Sequence, residues 1–108
     1  MLYTEYVKES FDRTVLETEH GFITYQVLEG GVCHIDVLYV KPICRKRGVG
    51  TRLMDILMES VPECDLFICE VDLRSNNPTA SVVAIASYGF KIYDTKDTYI
   101  RLMYKRGT

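Results

Sequence analysis

The stretch His34-Ile-Asp-Val-Leu-Tyr-Val-Lys-Pro-Ile-Cys-Arg-Lys-Arg-Gly-Val-Gly-Thr-Arg-Leu-Met-Asp-Ile-Leu57 decides the fold. It opens as a run of apolar and β-branched residues, breaks at Pro42, passes three consecutive cations and two glycines, and then takes on helical spacing. That order predicts a strand, a basic glycine loop and the start of a helix. N–H groups at a helix start lack intrahelical acceptors and sit at the positive end of the macrodipole, so a loop feeding them suits a phosphate. Gly48 and Gly50 carry no Cβ to hold an anion off the main chain. Arg45, Lys46 and Arg47 add charge around it. The expected ligand is a pyrophosphate-bearing molecule, held by these cations and by the amides of Gly48, Val49, Gly50 and Thr51.

Downstream, Leu53, Ile56, Leu57 and Val61 recur at helical intervals with Met54 alongside, while Arg52, Asp55 and Glu59 take the other face. Val61-Pro62 stops the helix, because the residue before a proline avoids helical dihedrals. Residues 66–73 are apolar apart from Glu70 and Asp72, as expected of a strand buried on both faces and lying parallel to the strand over 32–41. Strand, helix and strand then make a right-handed crossover. Asn77 is placed to cap a second helix with Pro78 at its first position, and that helix, 79–88, ends at Gly89. Residues 90–94 and 99–105 form a closing hairpin across Thr95-Lys96-Asp97.

Upstream, strands are expected over 2–7, 14–19 and 22–28, ahead of the fourth over 32–41. Links so short permit only antiparallel neighbours, since a parallel crossover needs about a dozen residues. The fold class is therefore α/β: a mostly antiparallel mixed sheet, its fourth and fifth strands parallel, with two main helices in one domain spanning 1–108.

Composition narrows the function. A chain of 108 residues with 47% hydrophobic and 26% charged residues can bury one core. The net charge of −2 offers no general attraction to nucleic acid or anionic membrane, which sets off the local cluster at Arg45 to Arg47. No apolar run reaches the roughly 18 residues needed to span a bilayer. The first residues lack the basic and apolar regions of a signal peptide. Cys33, Cys44, Cys64 and Cys69 show no C-x-x-C and no zinc spacing, so no metal is expected; they read as reduced thiols of a cytoplasmic protein.

The loop spacing excludes two common phosphate motifs. G-x-x-x-x-G-K-[ST] and G-x-G-x-x-G are both absent, because Gly48-Val49-Gly50 is followed by Thr51-Arg52-Leu53. The sequence instead carries Arg45-Lys46-Arg47-Gly48-Val49-Gly50 behind Leu38-Tyr39-Val40-Lys41-Pro42. This resembles the acetyl-CoA signature L-x-V-x-P-x-x-R-x-x-G-x-G of the Gcn5-related N-acetyltransferase (GNAT) superfamily. Asn77-Pro78-Thr79-Ala80 followed by Tyr88-Gly89-Phe90 resembles that superfamily's second signature, N-x-x-A … G-F. Together the two signatures cover residues 34–94.

The resemblance implies transfer of an acetyl group from acetyl-CoA to a primary amine. It implies that the parallel strands splay after Val40 and that pantetheine lies between them, with Asn77 near the cofactor. Leu38, Tyr39 and Val40 line the acetyl pocket, and the N–H near Val40 stabilises the oxyanion. A lysine-like amine has a pKa of about 10.4 and must lose a proton before it attacks. Counting back from the loop puts His34 where relatives carry a basic carboxylate, and Asp36 shares its strand face.

Two departures from the family stand out. Relatives place a tyrosine, as general acid, where this chain has Ile85 or, aligned from Asn77, Ala84. Tyr88 is one turn away. Family members also place two helices between the first two strands, where only Glu9 to Arg13 separate the expected strands. The acceptor side should then be open to an amine on a protein, or a second copy of the chain should supply the missing wall. A catalytically weak CoA-binding or protein-interaction module is the alternative reading. Polyanion binding through Arg45 to Arg47 is a third, and it predicts strong salt dependence.

Overall fold

A computed structural model describes residues 13–107 together with Leu2. The described strands form one six-stranded sheet in the order β1-β2-β3-β4-β6-β5. They are β1 (Thr14–Glu17), β2 (Gly21–Leu28), β3 (Val32–Val40), β4 (Leu66–Asp72), β5 (Lys91–Lys96) and β6 (Tyr99–Lys105). Helix α1 (Val49–Ser60) joins β3 to β4, and α2 (Pro78–Tyr88) joins β4 to β5. β3 and β4 run parallel, and every other neighbouring pair is antiparallel.

Of the strand expected over residues 2–7, Leu2 is described, and it is helical and exposed. The remainder of that strand and the interval up to Asp12 lie outside the described residues. The closing hairpin turns one residue later than expected: Thr95 and Lys96 belong to β5, and the chain reverses at Asp97-Thr98. Asp97 takes a left-handed conformation there, which aspartate tolerates.

Both helices lie on one face of the sheet. α1 presents Leu53, Met54, Leu57 and Met58 as a buried stripe, of which Met54, Leu57 and Met58 cluster with Ile23, Cys33, Ile35, Phe67, Cys69 and Leu102 from the strands. Val82, Ile85 and Tyr88 of α2 pack against the same cluster. Tyr88 donates a 2.7 Å hydrogen bond to the Asp55 carboxylate of α1, tying the two helices together. Along β4 the odd-numbered Phe67, Cys69 and Val71 enter the core, so the even-numbered Glu70 and Asp72 face the other side of the sheet.

β3 changes phase partway along. Thr24 pairs with Val37 and Tyr25 with Ile35, which leaves Asp36 as the extra residue of a β-bulge. Cys33 and Ile35 are buried before the bulge, whereas Leu38 and Val40 are half-buried after it. The Val37 N–H turns to the Thr24 hydroxyl at 3.1 Å. Gly21 then lets β2 close on the end of β3, where a Cβ at residue 21 would lie 2.2 Å from the Tyr39 carbonyl oxygen.

Candidate active site

The β3–β4 ladder runs from Val32↔Leu66 to Ile35↔Cys69 and stops. The strands therefore part after Ile35, five residues earlier than the expected point after Val40. The bulge at Asp36 accounts for the shift, because bulges raise local twist and turn a strand from its neighbour. Beyond the fork, the Lys41 N–H bonds to the His20 carbonyl at 2.9 Å, toward β2. In an antiparallel pair alternate residues turn their N–H and C=O outward, so Leu38 and Val40 aim theirs at the gap where β4 has departed. Arg45 reaches back there, its Nε donating to the Val40 carbonyl at 3.1 Å and its guanidinium 5.9 Å from the Tyr39 ring centroid. Tyr39 in turn stacks on Phe22.

After a single 3-10 turn at Pro42–Cys44, the basic loop delivers the chain to α1. Lys46 and Gly48 both have positive φ, 63° and 79°. Gly48 occupies the N-cap in the left-handed conformation and offers no side chain to cap the helix. The first intrahelical bond is from the Arg52 N–H to the Gly48 carbonyl, at 3.0 Å. The amides of Val49, Gly50 and Thr51 thus have no acceptor within the helix. Gly50 faces Leu38, so the loop and the outward edge of β3 adjoin. Asn77 caps α2, accepting a 3.4 Å bond from the Ala80 N–H, and is exposed.

The face opposite the helices carries a cleft of about 610 Å³, lined by His34, Asp36, Glu70, Asp72, Tyr99 and Arg101 among others. His34 Nε2 lies 2.7 Å from Glu70 Oε2, and Nδ1 lies 3.7 Å from Asp36 Oδ1. Asp36 Oδ2 accepts from Arg13 Nε at 2.6 Å, and Arg13 Nη1 donates to Gln26 Oε1 at 2.8 Å. Hydrogen bonds from the Arg74 side chain and backbone hold the Asp72 carboxyl below its ordinary range. The structure therefore brings His34 and Asp36 together as their shared strand face required, and adds Glu70. Glu70 is not among the residues the sequence points to; its one local signal is that it is one of two acids in an otherwise apolar strand.

No proton donor stands where relatives carry their tyrosine. Ile85 packs against the core and Ala84 is exposed. The Tyr88 phenol is committed to Asp55 and lies among Phe90 and Tyr104. Burial, and then that carboxylate, raise its pKa.

The four cysteines are free thiols. Burial pushes Cys33 and Cys69 up to about 12 and raises Cys64. Cys44 is half-buried, its Sγ 3.6 Å from His20 Nδ1. A thiol reagent at neutral pH should therefore titrate Cys44 alone in the native protein and all four cysteines in denaturant; rapid native labelling of Cys33 or Cys69 would contradict the buried assignment. A thiol raised on folding stabilises the fold below its unfolded pKa of about 8.5, and that contribution is lost as pH rises toward 12.

Among the described residues no helix is long and apolar enough to cross a membrane. No curated protein matches the chain. Solved structures do. The PaiA N-acetyltransferase of Thermoplasma acidophilum, in complex with coenzyme A, superposes with a TM-score of 0.75 at 19% identity, covering 96% of this chain and 69% of that one. Ard1 of Thermoplasma volcanium gives 0.70 at 18%, covering 92% and 74%. An aminoglycoside 6'-N-acetyltransferase complexed with coenzyme A gives 0.69 at 18%, covering 90% and 74%. At such identities these likenesses establish the fold. The model of the acetyltransferase (GNAT) family matches residues 13–101, nearly the whole described chain, and this chain belongs to that family.

Proposed function

We propose that this chain is an acetyl-CoA-dependent N-acetyltransferase acting on a primary amine. The observation that carries the reading is the fork between β3 and β4, whose outward main chain at Leu38 and Val40 leads to the uncapped start of α1. Acetyl-CoA supplies an acyl thioester when bound. Arg45, Lys46 and Arg47 with the amides of Gly48, Val49, Gly50 and Thr51 hold its diphosphate. Leu38, Tyr39 and Val40 flank the acyl end, and Asn77 lies beside the cofactor. The Val40 N–H donates to the oxygen that gains charge as the amine adds to the carbonyl.

His34 takes the proton of the attacking acceptor, and Asp36 lies beside its ring on the same strand face. Because Arg13 already neutralises Asp36, we assign the base role to His34. The C–S bond then breaks and CoA leaves as thiolate, without a protein acid at residue 84 or 85. The acceptor is an amine of a protein or of a small molecule, and a second copy of the chain is a candidate wall for its site.

The commitment of Tyr88 to Asp55 favours a second reading, a CoA-binding module with weak catalysis. Assay with acetyl-CoA and a panel of amines separates the two. Acetyl-CoA should raise the melting temperature under both, while an amine-dependent release of free CoA thiol is expected only of the enzyme. A panel of protein and small-molecule amines that releases none would leave the module.

A further inference from the structure

We infer that Glu70 is a positioning residue that fixes the tautomer of His34 and makes Nδ1 the proton-accepting atom. The inference rests on the acetyl-transfer reading above. The topology carries it: His34 pairs in register with Ile68 on the parallel strand, so Glu70, two residues on, lies on the same face of the sheet. The ladder ends one residue after His34, and the two side chains meet at the opening of the fork, 2.7 Å apart. On the other side of Glu70, Arg101 is its register partner on β6 and forms its ion pair with Asp94 at 3.6 Å.

A carboxylate only accepts hydrogen bonds, so the ring nitrogen facing Glu70 must carry hydrogen. In the neutral imidazole that leaves the lone pair on Nδ1. At 3.7 Å from Asp36 Oδ1, Nδ1 is too distant for a direct hydrogen bond but is close to the charge. When the acceptor's ammonium N–H gives its proton to Nδ1, the N–H bond breaks, its electron pair stays on the nitrogen as the attacking lone pair, and the new imidazolium lies between the Glu70 and Asp36 carboxylates. Arg13 holds Asp36 from behind through the 2.6 Å contact, and Gln26 holds Arg13. The fork thus assembles a base from two strands, neither of which carries it alone.

The test reads the ring directly. In the full chain carrying His20→Gln, nitrogen-15 spectra of the remaining histidine should show hydrogen on Nε2 and a bare Nδ1. Glu70→Ala should convert this to a mixture of tautomers and lower kcat roughly tenfold to a hundredfold, with KM for acetyl-CoA within about twofold. Glu70→Gln keeps an acceptor oxygen and should restore both the tautomer and part of the rate, a recovery that a merely structural role would not produce. Hydrogen on Nδ1 in the parent chain, or Glu70→Ala leaving both ring signals and kcat unchanged, would overturn the assignment. The spectra need no turnover: the expected tautomer and its loss in Glu70→Ala, in a chain inert toward every amine, would uphold the pairing and refute the acetyl-transfer reading instead.

Discussion

His34→Ala is expected to lower kcat for amine acetylation by about 100- to 10,000-fold, the usual contribution of a positioned general base, while leaving acetyl-CoA affinity almost unchanged. The two effects separate because the proposed diphosphate grip belongs to the α1 loop, whereas His34 lies on the opposite face from the core residues Cys33 and Ile35. The loss should shrink for an acceptor already neutral at the assay pH, since such an amine has less need of a base. Paired kcat and KM measurements with a lysine-like amine and a weakly basic one check this. Normal turnover of the lysine-like amine by His34→Ala would dispose of the base, and an equal loss with both amines would point to a structural role.

Arg106→Ala is expected to destabilise the protein by about 3 kcal/mol, lowering the melting temperature by roughly 10–20 °C. The guanidinium donates to the Met58 carbonyl at 2.6 Å and the Val61 carbonyl at 2.7 Å, and also to the Cys64 carbonyl. These oxygens belong to the last turn of α1 and to the chain leaving it. A helix C-terminus carries unsatisfied carbonyls and partial negative charge, so one arginine from the end of β6 serves as its cap. The same group sits 5.1 Å from the centroid of Phe67, a fully buried ring on the central strand. Arg106→Lys keeps the charge but not the planar fork, and should recover only part of the loss. A thermal melt of Arg106→Ala within about 2 °C of the parent would show that water satisfies those carbonyls equally well.

These two residues mark what could be read from the chain. Leu53 and Leu57 announce a helix by spacing, Val61-Pro62 its end, and Asn77-Pro78 the start of the next, because each of those signals is local. The glycine loop and the strand before it are equally local, and the parallel partnership of β3 with β4 is signalled by the apolar run over 66–73 and the helix between the two strands. The bulge at Asp36 is not local. It exists only as a mismatch between two strands, Thr24 opposite Val37 and Tyr25 opposite Ile35, and it moves the fork to just beyond His34. Glu70 becomes part of the site only once the register of β3 against β4 is known. Arg106 follows the last strand and reads as one more surface cation until the end of α1 is placed beneath it. Tyr88 shows the converse: a phenol near the expected acid position is diverted to Asp55 by the packing of α2 on α1.

If the start of α1 and its three preceding cations hold the diphosphate of coenzyme A, calorimetry with two ligands will show it. Coenzyme A should bind the parent chain at one site, and pantetheine, which lacks the diphosphate, should bind much more weakly. Changing Arg45, Lys46 and Arg47 together to alanine should weaken coenzyme A by at least roughly tenfold, about 1.4 kcal/mol, and should leave pantetheine nearly unaffected. Equal affinities for the two ligands in the parent chain, or no heat with coenzyme A at all, would contradict the account.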